Sequence, residues 1–297
     1  MLKIAFIGFG EAARAFTHSL RGAHPMRVAA YDILIHGDGA DGLRAAADAL
    51  DVQICDSAVE AVQDAALIFS AVTAAQSLIA LQPLAGALRA GQTVIDINSV
   101  SPARKLASAR LIRAQGAGYL DMAVMAPVYP AGHRTPVLVA GDLDLMRSWL
   151  ARLDFRFDEA GTNPGDATAV KMVRSLFVKG LEAITVQTLA AAAASGCHDR
   201  ILASLAKSFP GLGWPDFAAY EFERVITHGR RRAEELREVA ATMDDLGLAE
   251  AAALATSIAD AQDRVAGAPL GATPAETAAA VARAIATPAA ADKAFGT

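Results

Sequence analysis

The chain has 297 residues, 54% of them hydrophobic and 20% charged, with a formal net charge of −5. That length suits two folded domains, and the absence of a basic excess argues against nucleic acid or an anionic membrane as a partner. The two cysteines, Cys55 and Cys197, lie far apart and have neither CxxC spacing nor histidine companions at metal-ligand spacing, so no disulfide framework and no metal site are expected, and reduced thiols suit the cytoplasm.

The apolar opening, Met1–Gly10, is too short and too soon broken by glycine for a signal peptide, and reads as a strand at Lys3–Gly8. Ala12–Leu20 follows as a helix closed by Arg21–Gly22, then Arg27–Tyr31 as a second buried strand ending at Asp32. Leu43–Leu50 reads as helix, Val52–Cys55 as a short strand, Ala58–Ala65 as helix and Leu67–Val72 as a strong strand. Ala74–Leu88 is expected to be helical with a break near Pro83, Thr93–Ile97 a strand and Pro102–Gln115 a helix. Tyr119–Val124 and Pro136–Ala140 complete the expected strands. Strands alternating with helices predict an α/β fold, a Rossmann-type doubly wound parallel sheet.

After Asn163 the pattern changes to helical periodicity running almost to the end, with Pro164–Gly165 at the switch and Asp166 placed for a first helical turn. The expected division is therefore a nucleotide-binding domain at 1–163 and an all-α C-terminal domain at 164–297. Ala-rich helices bury little area per residue, so a homodimer through the helical domain is expected. The Ala-rich stretch Leu189–Ser195 is too short to span a bilayer. The last residues, 286–297, read as a frayed tail.

Gly8-Phe9-Gly10-Glu11-Ala12-Ala13 is a GxGxxA placed after a strand and before a helix. Gly8 permits the tight turn, Gly10 lets a pyrophosphate approach the backbone, and Ala13 allows close packing of helix on strand. Asp32, 19 residues past Ala13, sits where a carboxylate accepts the ribose hydroxyls of NAD. It would repel a 2′-phosphate, and no Arg or Lys follows until Arg44. NAD is therefore expected over NADP.

Asp96-Ile97-Asn98-Ser99-Val100-Ser101-Pro102 lies at the carboxyl end of a strand, where ligands bind on open α/β sheets. Asn98 is assigned to the cofactor and Ser99 to the substrate, with Ser101 and Pro102 reading as an N-cap and first helical residue. Val72 and Thr73, at the end of another strand, are placed similarly. In Gly165–Ser175, Thr168, Lys171 and Ser175 share one helical face. A lysine at a domain junction on an apolar helix is either a general acid/base or an ordinary snorkelling side chain.

Together these segments resemble the β-hydroxyacid dehydrogenase superfamily, which includes the 3-hydroxyisobutyrate and 6-phosphogluconate dehydrogenases. The likeness runs over most of the chain: the GxGxxA start, the D-x-[SN]-[ST]-x-x-P segment at Asp96–Pro102, and a G-x5-K-x3-[NS] helix. It implies that Lys171 is the catalytic acid/base, and it puts Ser175 where the family has asparagine. The family's D-x-P-V-S-G-G loop falls on Asp121–Pro127 without its serine and glycines, and its later lysine falls near Glu234. Instead the chain offers His228-Gly229-Arg230-Arg231-Arg232-Ala233-Glu234-Glu235, similar to an uncharacterised phosphogluconate dehydrogenase-like branch that also carries the Ala126–Val128 and Arg134–Pro136 segments. That helix reads either as an anion-binding face, with His228 and Arg231 receiving a carboxylate or phosphate, or as a solvated basic surface.

The resulting expectation is an NAD-dependent dehydrogenase that moves a hydride between a small anionic hydroxy acid and the nicotinamide. An imine reductase and a non-catalytic NAD-binding regulator are the alternatives. Lys171 counts against both, because each is marked by loss of that lysine.

Overall fold

The computed structural model describes residues 1–286, so the expected tail from Thr287 onward lies outside the described residues. The chain divides into two compact units, Met1–Val173 and a second that begins at Arg174. The first unit takes in the opening turns of the long helix that sequence reading placed in the helical domain.

In the first unit, β1 (Leu2–Ile7), α1 (Glu11–Ala23), β2 (Met26–Tyr31), α2 (Ala40–Asp48), β3 (Gln53–Ile54), α3 (Ala58–Val62) and β4 (Leu67–Ser70) come first. They are followed by β5 (Thr93–Asp96), α4 (Pro102–Arg113), β6 (Gly118–Val124), β7 (Val137–Gly141), α5 (Leu143–Arg152) and β8 (Phe157–Gly161). All eight strands join one sheet in the order β3-β2-β1-β4-β5-β6-β7-β8. The pairings from β3 through β6 are parallel, and chain order reverses between β1 and β4. This is the predicted doubly wound sheet, and ligands on such sheets lie beyond the carboxyl ends at the reversal.

Strand residues alternate between two cores, as a period of two requires. Ile4, Phe6, Phe69, Ile95 and Leu120 face one side with Phe16 and Leu20 of α1 and Leu143, Met146 and Leu150 of α5. Ala5, Ile7, Ile68, Val94 and Tyr119 face the other side with Ala61 and Val62 of α3 and Ala109 and Ile112 of α4. Phe6 stacks on Phe69 with ring centroids 5.1 Å apart. Helices cover both faces, which is why β4 and β5 are buried along their whole length.

Three features depart from the predicted elements. Ala74–Leu88 is not an α-helix but two short 3₁₀ segments, Ala74–Gln76 and Ile79–Leu84. Pro83 lies inside the second and Gly86 follows in the left-handed region at φ 82°, and both break an α-helical ladder. The sheet is also not wholly parallel, because β7 runs antiparallel to β6. Finally, α5 and β8 escaped prediction: β8 reads Phe-Asp-Glu-Ala-Gly and is half exposed, so it lacks the apolar run that reveals an inner strand.

His133, in the 3₁₀ turn Gly132–Arg134, is 1% exposed and packs its ring edge-on to Phe155 at 5.3 Å. Its Nδ1 lies 2.7 Å from Ser19 Oγ on α1. Burial, helped by Arg134 and His24, pulls its pKa from the ordinary 6.5 to about 4. The folded unit therefore binds this proton later than the unfolded chain does. Its stabilisation is complete above pH 6.5 and is lost as the pH falls toward 4. The loss should reach on the order of 3 kcal/mol. Denaturant midpoints measured across that range should fall for the wild type and stay flatter for His133→Gln; parallel curves would remove His133 as the cause.

The second unit holds the rest of α6 (Asp166–Ala194), then α7 (His198–Ser208), α8 (Asp216–Asp245), α9 (Ala249–Val265) and α10 (Pro274–Ile285). Val186 and Leu189 of α6, Phe222 and Val225 of α8, Val265 of α9 and Val281 of α10 share one core. Among the described residues, α6 alone is long and apolar enough to cross a membrane, but 44% of its most apolar stretch is buried in the protein, and core helices pass the same test. Helices α8 and α9 approach closely at Gly229, where a Cβ would sit 2.7 Å from the Gln262 carbonyl oxygen.

Buried ion pairs also lie between the helices of this unit. Arg232 on α8 is 7% exposed and donates through Nε to Glu182 Oε2 at 2.7 Å and through Nη2 to Glu182 Oε1. Gln262 Nε2 donates to the same carboxylate at 3.2 Å. One turn earlier on α6, Lys179 Nζ donates to Glu235 at 2.6 Å. Burial draws the Lys179 ammonium below its usual pKa, with Glu235 opposing the shift.

Candidate functional site

The glycine turn after β1 is held from both sides. Gly8 N–H donates to the Tyr31 carbonyl at 2.8 Å, and Gly8 sits at φ 88°, where a Cβ would strike the Ala71 carbonyl oxygen. Only glycine fits there, for reasons internal to the protein. Gly10 differs: a Cβ on it would meet nothing within 4 Å. The protein leaves open space at Gly10, as the close approach of a pyrophosphate requires. Gly10 is also the N-cap of α1 and provides no side-chain cap, so the first-turn amides face a site suited to phosphate.

Ala13 is fully buried and Phe9 likewise, its ring 6.5 Å from Phe6. Phe9 can therefore meet a ligand only through its backbone, while Glu11 is exposed and Ala12 half-buried. Asp32 closes the turn: Phe9 N–H donates to its Oδ2 at 2.8 Å and Leu34 N–H to its Oδ1 at 3.0 Å. Each carboxylate oxygen accepts more than one bond, so this holds the loop and leaves capacity for ribose hydroxyls. The set fits a dinucleotide.

At the ends of β4 and β5 the predicted residues are joined in pairs. Asn98, 4% exposed, accepts the Val72 N–H through Oδ1 at 2.7 Å and donates through Nδ2 to Ser70 Oγ at 2.9 Å. Its amide thus ties the two strand ends together. Val72 is half-buried and Thr73 exposed, on extended backbone. Ser101 occupies the N-cap of α4 with Pro102 at N1, though its side chain makes no capping bond. Ser99 remains partly exposed, and Lys171 Nζ on α6 donates to its hydroxyl at 2.6 Å. Two residues 72 positions apart are thereby brought to one place at the carboxyl edge of the sheet.

Sequence reading missed the group behind this pair. Asp96 and Asp121 are register partners on β5 and β6, and both are fully buried with Lys105 of α4. Lys105 Nζ donates to the Asp96 carbonyl at 2.6 Å and to its Oδ1 at 2.8 Å, and stands 3.3 Å from Asp121 Oδ1. Tyr119 OH donates to Asp96 Oδ2 at 2.7 Å. Burial, set against the Lys105 charge, pushes Asp121 above the usual carboxylate range, and it pushes the Tyr119 phenol well up as well. The signal was present in the sequence: an acid inside each of two apolar strand runs, costly unless paired.

Met125 N–H donates to the Pro136 carbonyl at 2.9 Å, Ala126 is exposed, and Pro127 has no N–H to offer. The three remaining predicted residues lie in the second unit: Ser175 buried on α6, His228 half-buried and Arg231 exposed on α8. Arg232, the next residue on α8, is taken into the interior. No group of three or more potential metal ligands occurs among the described residues.

Residues 3–100 match the family described as NADP oxidoreductase, coenzyme F420-dependent, and residues 192–265 match a domain of unknown function, DUF1932. A conserved hypothetical protein from Sinorhizobium meliloti 1021 is 34% identical, with 96% of this chain and 97% of that one superimposed at a TM-score of 0.73. An uncharacterized 28.5 kDa protein of Methanothermus fervidus is 23% identical over 238 residues, 80% of this chain and 89% of that protein. The 3-hydroxyisobutyrate dehydrogenase of Mycobacterium tuberculosis, solved with L-serine, shares the fold at 18% identity. Its TM-score is 0.75, over 96% of this chain and 100% of the other.

Proposed function

Since the chain belongs to the β-hydroxyacid dehydrogenase superfamily, we propose that it is an NAD-dependent oxidoreductase acting on the CH–OH group of a small anionic hydroxy acid. The observation that carries this reading is the 2.6 Å contact of Lys171 Nζ with Ser99 Oγ. It places an amine and a hydroxyl at the carboxyl edge of the sheet, beside the segments suited to the dinucleotide. The cofactor, when bound, supplies the hydride acceptor. In oxidation the Lys171 amine takes the proton of the substrate hydroxyl, and in reduction its ammonium returns a proton to the carbonyl oxygen. Ser99 orients the amine and offers a second hydrogen-bonding group to the same oxygen. The protein contributes position, which limits the reaction to substrates whose hydroxyl reaches Lys171.

Asp32 supports NAD over NADP, since a carboxylate there accepts ribose hydroxyls and repels a 2′-phosphate. Titration should show NAD binding more than about tenfold tighter than NADP, a difference of roughly 1.4 kcal/mol. Asp32→Asn, which can still accept the Phe9 N–H, should narrow that gap. Equal affinities in the wild type would overturn the assignment. Activity itself is tested by NAD reduction over a panel of hydroxy acids, sugar acids and phosphorylated alcohols, with cyclic imines plus reduced cofactor as the contrasting arm. Turnover confined to imines would replace this reading with that of an imine reductase.

A further inference from the structure

The start of α6 is pinned by four hydrogen bonds within the first unit. Asp121 Oδ2 accepts the N–H groups of Gly165 at 3.1 Å and Thr168 at 3.0 Å. Thr168 Oγ1 donates to the Val100 carbonyl at 2.7 Å, and Lys171 Nζ donates to Ser99 Oγ at 2.6 Å. Thr168 and Lys171 are three residues apart and so lie on one helical face, matched to the adjacent Val100 and Ser99. A helix end leaves its first N–H groups without partners in the helix, and a carboxylate satisfies them well. Asp121 does this from a strand, not from the helix's own N-cap.

The other side of Asp121 leads to Ser99. Its Oδ1 faces Lys105 Nζ, which holds the Asp96 side chain and carbonyl. Asp96 Oδ1 in turn accepts the Asn98 N–H at 2.9 Å, immediately before Ser99. One buried chain of contacts therefore reaches both members of the Lys171–Ser99 pair, the helix of one and the loop of the other. Packing alone gives no reason for it. The surrounding positions on β6 are Tyr119, Leu120, Met122 and Ala123, all buried, and an apolar residue would satisfy the strand without burying a charge.

We propose that Asp121 is a positioning residue: by binding the N-terminus of α6 it sets Lys171 opposite Ser99. The inference rests on the acid/base role of Lys171 for its catalytic meaning, but the geometry can be tested without a substrate. The rate at which an amine-reactive acetylating reagent modifies Lys171 is read by mass spectrometry against the other lysines as internal standards. Asp121→Ala removes the acceptor for Gly165 and Thr168 and leaves Lys105 paired with Asp96. Its Lys171 should react several-fold to about tenfold differently from wild type, as expected when a held side chain is released. Asp121→Asn keeps an oxygen acceptor for the helix and should react as the wild type does.

If a turnover substrate is in hand, Asp121→Ala should lower kcat by about 10²-fold, the scale of a displacement of about 1 Å, with KM for NAD unchanged. Wild-type labelling of Lys171 in Asp121→Ala would overturn the proposal whatever the activity does. Equal disturbance in the alanine and asparagine variants would overturn it as well, since charge and not the helix contact would then be responsible. Should the alanine variant fail to fold, Asp121→Ser, which retains one acceptor, is judged by the same labelling and should fall between wild type and the expected alanine value. An enzyme that turns over no substrate would defeat the dehydrogenase reading and leave the labelling result standing.

Discussion

Lys171→Ala is expected to lower kcat by about 10²–10⁴-fold, the usual contribution of a positioned acid/base, and to leave NAD affinity essentially unchanged. The two effects separate because the segments suited to the dinucleotide, Gly8–Ala13 and Asp32, make their contacts without Lys171. Lys171 donates to Ser99 Oγ, so its loss touches the chemistry at the sheet edge. Ser99→Ala should cost less, since it removes an orienting hydroxyl and leaves the proton carrier in place. The measurement is steady-state NAD reduction at saturating substrate, with NAD binding followed separately by titration calorimetry. Turnover retained in Lys171→Ala would exclude the residue as acid/base; lost NAD binding would assign it to the cofactor instead.

The second large effect is on stability and falls in the other unit. Arg232→Ala should destabilise it by about 3–5 kcal/mol, the cost of leaving a buried carboxylate without its cation. Glu182 is 3% exposed and would retain only the Gln262 amide, at 3.2 Å. Trp214 lies in this unit and Trp149 in the first, so single-tryptophan versions allow the two units to be unfolded under separate observation. The Trp214 transition should move to lower denaturant while the Trp149 transition holds. Replacing both partners with apolar residues, Arg232→Met with Glu182→Leu, should recover most of the loss, because no charge is then left buried and unpaired. A loss below about 1 kcal/mol, the range of exposed pairs, would mean that the pair is solvated in solution.

Much of the first unit was legible because its signals are local. A strand, a glycine turn, a helix and a second strand ending in Asp32 follow one another within 32 residues, and in the structure the Phe9 N–H of that turn donates to Asp32. Segments that failed to show themselves lacked a local period. The 3₁₀ pieces around Pro83 have apolar content like a helix, and β8 is an edge strand without an apolar run. On α8, composition singled out a basic cluster but could not say which arginine turns inward; helix packing selected Arg232 because Glu182 stands across from it.

The same division holds at the candidate site. The sequence by itself determined the glycine turn, the acid after the second strand, the Asp96–Pro102 segment and a lysine on the helix that follows the sheet, since each depends on neighbours a few residues away. Only the tertiary structure decided that Lys171 meets Ser99, that Asn98 spends its amide joining β4 to β5, and that Asp121 binds the N-terminus of α6. Those contacts span 26 to 72 residues. They arise because a doubly wound sheet gathers distant strand ends along one edge, and buried charges there must find partners wherever the fold supplies them.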